Sequence, residues 1–211
     1  MRRIAIVLLV LTTAAPAVAF DKPLLDLIQR NRTHFTDEVA RRVTPLGGHD
    51  ALLVSALMFG TGWLMHDDRL RSAGLESAEA QEIASQLIVP VLKRAAGRSR
   101  PFTNEGTYHF EPFRSKDDAH RSFPSSHATT AFAAATAIAA HYDGPVVPSI
   151  VYSIAASVAI ARVNDNVHYP TDVIAGTLIG RIVAKTVVKH HGWIVLPQRN
   201  GMVILYRRAG E

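Results

Sequence analysis

Three short polar clusters interrupt the alanine-rich, apolar stretches of this 211-residue chain, and their residue types could together handle an oxyanion. The first is Lys93 with Arg98, Arg100 and Pro101, the second Pro124-Ser125-Ser126-His127, and the third runs from Arg162 through His168 to Asp172. Lys93, Arg100 and Arg162 supply cations, and the arginine fork suits two oxygens of a phosphate at once. Ser125 and Ser126 stand where a helix is expected to begin, so they offer hydroxyls and free backbone N–H groups at the positive end of its dipole. His127 and His168 supply proton and nucleophile chemistry near neutral pH. His168 and Asp172 are four residues apart, so in a turn-like segment the carboxylate can hold one ring nitrogen and leave the other aimed at phosphorus. Singly, each residue has a plainer reading: Ser125 as an ordinary helix cap, a basic residue near a helix end as a solvated charge. The joint pattern is what points to chemistry.

That pattern is Lys93, six residues, Arg100-Pro101; then Pro124-Ser-Ser-His127; then Arg162, five residues, His168, three residues, Asp172. It resembles, in the same order, the three-part signature of the type 2 phosphatidic acid phosphatase and vanadium haloperoxidase superfamily, over residues 93–172. The resemblance implies an all-α helical bundle and a phosphoric ester hydrolase. It implies that Lys93, Arg100 and Arg162 bind phosphate oxygens, with Ser125 and Ser126 adding hydrogen bonds. His168 would attack phosphorus to give a phosphohistidine, Asp172 would fix its tautomer, and His127 would protonate the leaving alkoxide and later activate water. No metal or other cofactor is implied, although vanadate can enter such a pocket as a phosphate mimic. Two positions depart from the family pattern: Ser126 stands where glycine is usual, and Ala161 precedes Arg162 where serine is usual. Both concern the tuning of the pocket rather than the reacting groups.

Helices must position these residues. Apolar residues Leu24, Ile28, Phe35, Val39 and Val43 recur at helical spacing, with a break near Asn31. Thr44-Pro45-Leu46-Gly47-Gly48 is a breaker, and Asp50 could cap a helix over 51–65. A second breaker lies at 66–68, and 76–96 reads as a helix kinked at Pro90. Residues 97–123 show no periodicity, and a loop of that length in a compact domain is often functional. Arg98, His109, Phe110, Phe113, Arg114 and His120 are expected to shape the entrance to the pocket. Further helices follow over 125–141, from the Asp143-Gly144-Pro145 turn to about Arg162, and over 172–190. Residues 193–196 and 202–206 around Arg199-Asn200-Gly201 signal a short C-terminal β-hairpin.

The start of the chain has the three parts of a secretory leader: Arg2-Arg3, an apolar run over 4–11, and Ala17-Val18-Ala19. Residues 1–19 are thus expected to be a signal peptide and 20–211 a single phosphatase domain, exported to the periplasm or cell envelope. Without the leader, 21 Lys+Arg face 18 Asp+Glu, a small excess without the aromatic interleaving of a nucleic-acid platform. The absence of cysteine excludes a disulfide scaffold, a thiolate metal site and a cysteine nucleophile. Residues 51–65 and 144–161 are free of charge but fall at or below spanning length, so they read as buried helices of a soluble or peripheral bundle, with a multi-span membrane protein as the alternative. The partners expected are a phosphorylated lipid, such as phosphatidic acid, an isoprenyl diphosphate or lipid A, or a small phosphate ester. The competing activities are a vanadate-dependent haloperoxidase, disfavoured by the short chain, and a soluble non-specific acid phosphatase.

Overall fold

A computed structural model describes residues 19–113, 117–190, 193–198 and 201–206. The expected leader, Ala19 apart, lies outside the described residues, as does Arg114. Eight α-helices are described: α1 (Asp21–Arg30), α2 (His34–Val43), α3 (His49–Met65), α4 (Asp68–Glu82), α5 (Val89–Ala96), α6 (Ser126–Ala139), α7 (Val146–Asn164) and α8 (Pro170–Lys189). Two strands, β1 (Trp193–Gln198) and β2 (Gly201–Tyr206), pair antiparallel with Trp193 opposite Tyr206.

Local chemistry sets the boundaries. The break near Asn31 separates α1 from α2, which opens on a reciprocal cap: Thr33 Oγ1 accepts from the Thr36 N–H and Thr36 Oγ1 from the Thr33 N–H. Asp50 is not a cap; α3 starts at His49 behind Gly48, and Asp50 lies in the first turn, where a carboxylate favours the helix dipole. The helix expected from Glu76 begins instead at Asp68, because Asp67 Oδ1 accepts from the Leu70 N–H at 2.9 Å and starts α4 eight residues earlier. A π-helical turn over Ile83–Ile88 joins α4 to α5 and leads into Pro90 at the head of α5, where its missing N–H costs least.

Helix α6 is the central element, with α8, α7 and α4 packed around it. Alanine is the commonest residue on its inward face: Ala131, Ala133, Ala135 and Ala137 are buried against Ala80, Ala155, Val158 and Ala184, and Ala128 against Ala159 and Val163, with Thr129, Thr130, Thr136 and Ile138 buried beside them. Small side chains let the helix axes approach closely, and α8 approaches through glycine. A Cβ at Gly176 would stand 2.6 Å from the Ser125 carbonyl oxygen, and one at Gly180 would collide with the Thr129 carbonyl. Helices α3 and α4 are pinned by a buried hydroxyl pair, Ser55 Oγ to Ser77 Oγ at 2.7 Å, with the Gln81 amide donating to Ser55 Oγ at 2.7 Å.

The expectation that residues 51–65 and 144–161 form buried helices is corrected by this packing. In α3 the buried residues are Ala51, Ser55 and Gly62, whereas Leu53, Leu57, Trp63, Leu64 and Met65 face outward. Ile150, Ile154 and Ile160 of α7 and Ile174, Leu178 and Ile182 of α8 are likewise exposed. The small residues take the inner faces because only they allow the close crossings, which leaves the large apolar ones outside, an arrangement characteristic of helices packed in lipid. Among the described helices α7 is long and apolar enough to cross a membrane, with 28% of its apolar window buried. Gly180→Ala is expected to lower the stability by about 1–3 kcal/mol through overpacking against Thr129. The midpoint of thermal unfolding, compared with that of the parent chain, measures it.

Candidate active site

The three polar clusters meet at the N-terminal end of α6. Ser125 is the N-cap of α6, its backbone extended, its Oγ 3.5 Å from the Ala128 nitrogen and its side chain fully buried. Its own N–H donates to the Asp172 carbonyl at 3.0 Å, which ties the second cluster to the third. The Ser125 hydroxyl is therefore engaged in capping, while Ser126, one residue on, lines an open groove of about 390 Å³ with Val89, Pro90, Lys93, Asp118 and Arg121.

Helix α8 opens on Pro170, whose fixed φ suits a first helical position, and Asp172 reaches back so that its Oδ2 accepts from the Tyr169 N–H at 2.9 Å. The same oxygen accepts from Ser122 Oγ at 2.6 Å, and Oδ1 accepts from Arg98 Nη1 at 2.7 Å. The fully buried Asp172 carboxylate is thus held from three sides. His168 Nδ1 lies 3.8 Å from Asp172 Oδ2, within ion-pair reach but longer than a hydrogen bond, and has no hydrogen-bond partner among the described residues. Relay bonds of this kind are often long before substrate binds and shorten in the reacting complex.

Lys93, near the end of α5, donates its Nζ to the Arg121 carbonyl. Gly97 follows with φ 59°, a left-handed turn in which a Cβ would collide with the Glu111 carbonyl, and this sends the chain into the loop that carries Arg100. Arg100 donates from Nε to the Asp118 carbonyl at 2.9 Å and from Nη2 to the Asp118 carboxylate at 2.7 Å. Arg162, at the end of α7, pairs with Asp165 at 3.0 Å and reaches Thr44 Oγ1 at 3.4 Å, so the 3₁₀ turn Thr44–Gly47 closes that flank. His127 packs beside the same turn, where a Cβ at Gly48 would stand 3.5 Å from its Nε2.

The electrostatics fit a site awaiting an anion. Burial, reinforced by the nearby Arg100 cation, pushes Lys93 down to about 8. Burial first, and then the cations of Arg162 and Lys93, bring His127 down to about 4. Burial also brings His168 to about 4 against the opposing pull of Asp172. Both imidazoles are therefore neutral at pH 7, and both lie within electrostatic reach of Lys93 and Arg100. The Nε atoms of Arg121 and Arg162 are buried with no hydrogen-bond partner among the described residues. Buried donors normally find acceptors, so two unpaired guanidinium N–H groups beside a cationic pocket call for an oxyanion.

The three clusters singled out in the sequence meet at this end of the bundle, but Arg98 does not line the entrance. It is 1% exposed and bridges Asp172 and Asp21. Arg121, Ser122 and Asp21 had no sequence signal of their own. Arg121 is legible only as a basic residue near Pro124, and Asp21 is brought in by α1 from the far end of the chain. In the loop, Glu105, His109 and His120 offer ligand atoms within 4.8 Å of one another, close enough to share a metal ion. Their contacts in the structure are hydrogen bonds that order the loop, with Glu105 Oε2 accepting from Ser99 Oγ at 2.5 Å and lying 3.1 Å from His120 Nε2.

A family model, the PAP2 superfamily, matches residues 81–195. A lipid A 1-phosphatase of Rhizobium etli is 41% identical over 130 residues, 61% of this chain and 48% of that protein. The lipid A 1-phosphatase of Rhizobium johnstonii is 41% identical over 100 residues, 46% of this chain and 40% of the relative. The matched part thus spans less than half of either relative. The crystal structure of a transmembrane PAP2-type phosphatidylglycerolphosphate phosphatase from Bacillus subtilis superposes with a TM-score of 0.64 at 25% identity, covering 87% of this chain and 92% of the other. That of Aquifex aeolicus LpxE gives 0.63 at 22% identity, covering 81% and 95%, a likeness of fold.

Sulfate, whose charge is constant from pH 5 to 10, should bind this pocket and weaken as pH rises through about 8, where Lys93 loses its proton. Isothermal titration should show this fall in the parent protein and a flat profile in Lys93→Arg. Arg121→Ala should weaken sulfate by about tenfold, the value of one charge-assisted hydrogen bond.

Proposed function

The chain belongs to the PAP2 superfamily, and from that premise we propose that it is a metal-independent phosphatase acting on phosphorylated lipids of the cell envelope through a phosphohistidine. The observation that carries this reading is the meeting of Lys93, Arg100, Arg162 and two neutral imidazoles around unpaired guanidinium N–H groups at one helix N-terminus. Neutral His168 has its Nε2 lone pair available as a nucleophile, because Nδ1 carries the proton toward Asp172. Attack forms the N–P bond and breaks the P–O ester bond. The cations and the α6 amides take up the charge on the equatorial oxygens, which is the role two metal ions play in other phosphatases. His127 must deliver a proton to the leaving alkoxide, and the substrate helps to load it: two negative charges beside the ring favour the imidazolium and raise its pKa above that of the empty site. With the proton given up, the ring accepts one from water, whose oxygen attacks phosphorus, breaks the N–P bond and releases inorganic phosphate.

Two features support a lipid substrate. The groove beside Lys93 has a basic side, Lys93 and Arg121, and an apolar side, Val89, Pro90 and Val91, as an amphiphile with a phosphorylated head group requires. The apolar outer faces of α3, α7 and α8 would hold the protein in a bilayer, with the site at one end of the bundle. The relatives' own names specify phosphorylated lipids, lipid A and phosphatidylglycerolphosphate.

His168→Ala and His127→Ala are each expected to lower phosphate release by about 10³-fold or more while the helical circular dichroism is unchanged. EDTA should leave the rate intact. In mixed micelles a lipid 1-phosphate should exceed a water-soluble aryl phosphate in kcat/KM. Full activity in His168→Ala, or loss of activity in EDTA restored by a divalent cation, would overturn the mechanism.

A further inference from the structure

Asp172 is one end of a buried chain of three charges. Arg98 Nη1 donates to Asp172 Oδ1 at 2.7 Å, and Arg98 Nη2 donates to Asp21 Oδ2 at 2.6 Å. Asp21, the first residue of α1, also accepts from the Thr171 N–H at 2.8 Å and the Thr171 hydroxyl at 2.6 Å. The guanidinium donates to Thr171 Oγ1 at 2.8 Å and, from Nη2, to the Thr107 carbonyl at 2.8 Å, while its face stacks 4.2 Å from the centre of the Tyr169 ring. Arg98 is 1% exposed, and Asp21 and Asp172 are 0% exposed. Charges buried this deeply are a poor means of adding stability, since an apolar cluster of the same volume does as well. What they supply is direction. Arg98 fixes one oxygen of Asp172, so the other faces Ser122, the Tyr169 amide and His168.

The charge balance explains the second carboxylate. Arg98 alone would neutralise Asp172 and weaken its hold on the proton at His168 Nδ1. Asp21 offsets that cation, so Asp172 keeps its negative field at the imidazole. We infer that Arg98 and Asp21 are positioning residues of the reaction, through which helix α1 and the 97–123 loop hold the His168–Asp172 pair in register. The inference rests on the reading of His168 as the nucleophile. Neither residue touches the phosphate; both act through Asp172.

The test compares the full-length protein in detergent micelles with its Asp21→Asn, Thr171→Val and His168→Ala variants, using p-nitrophenyl phosphate as probe and thermal unfolding alongside. Asp21→Asn keeps the shape and removes the charge. It is expected to lower kcat about tenfold with KM within about twofold, in the range of coupling carried through packed polar networks. Thr171→Val keeps both charges and removes the shared hydroxyl, and should lower kcat by about threefold, again at constant KM. It also serves where Asp21→Asn does not fold. A lowered unfolding midpoint with parental kcat in the folded variants would overturn the inference and leave a purely structural ion cluster. A raised KM at constant kcat would overturn it as well. An active His168→Ala would instead overturn the underlying reading, and the inference with it.

Discussion

The Asp172 carboxylate is the contact on which the rest of the site depends. It is fully buried and takes hydrogen bonds from Arg98, Ser122 and the Tyr169 amide. Its backbone carbonyl accepts from Ser125, the cap of α6. One residue thereby sets the start of α8, the start of α6, the path of the 97–123 loop and the orientation of His168. A carboxylate in an apolar bundle would ordinarily be protonated or expelled; here Arg98 keeps it ionised, and Asp21 keeps Arg98 from cancelling it.

A second constraint is the crowding of cations. Lys93, Arg100, Arg121 and Arg162 converge with, among the described residues, Asp118 and Asp165 as their direct carboxylate partners at the rim. Such an arrangement is costly unless an anion completes it; burial first, and the neighbouring cations second, push Lys93 down to about 8 and keep the imidazoles neutral. The same helices that deliver these residues pack through alanine and glycine, so their leucines and isoleucines face outward. The close packing that brings three helix ends together and the apolar exterior suited to lipid have one origin.

Much of this was legible in the sequence, and the limits are instructive. Lys93, Arg100, Ser126, His127, Arg162, His168 and Asp172 stand at spacings that place them at helix ends, and the structure brings them to one end of the bundle. Arg98 read as an entrance residue because a basic side chain in an irregular loop is normally solvated; only its tertiary partners show otherwise. Asp21 could not be found at all, since 150 residues separate it from Thr171. The early start of α4 was hidden by Gly74, which breaks the apolar period yet lets α4 approach Phe59 and Ser55 of α3. The outward apolar faces escape a sequence reading that takes alanine-rich runs as the core of a soluble or peripheral bundle, because the alanines are the packing surface and the larger residues the outside.

The most direct test of the account is to trap the covalent intermediate. Rapid acid-free quenching of the enzyme with a ³²P-labelled phosphate ester, followed by peptide mapping, should reveal a phosphoenzyme that is stable to alkali, labile to acid, and located on His168. It should accumulate when His127 is replaced by glutamine, if the first transfer is driven with a good leaving group that needs no acid. No label under those conditions, or label on any residue other than His168, would contradict the account.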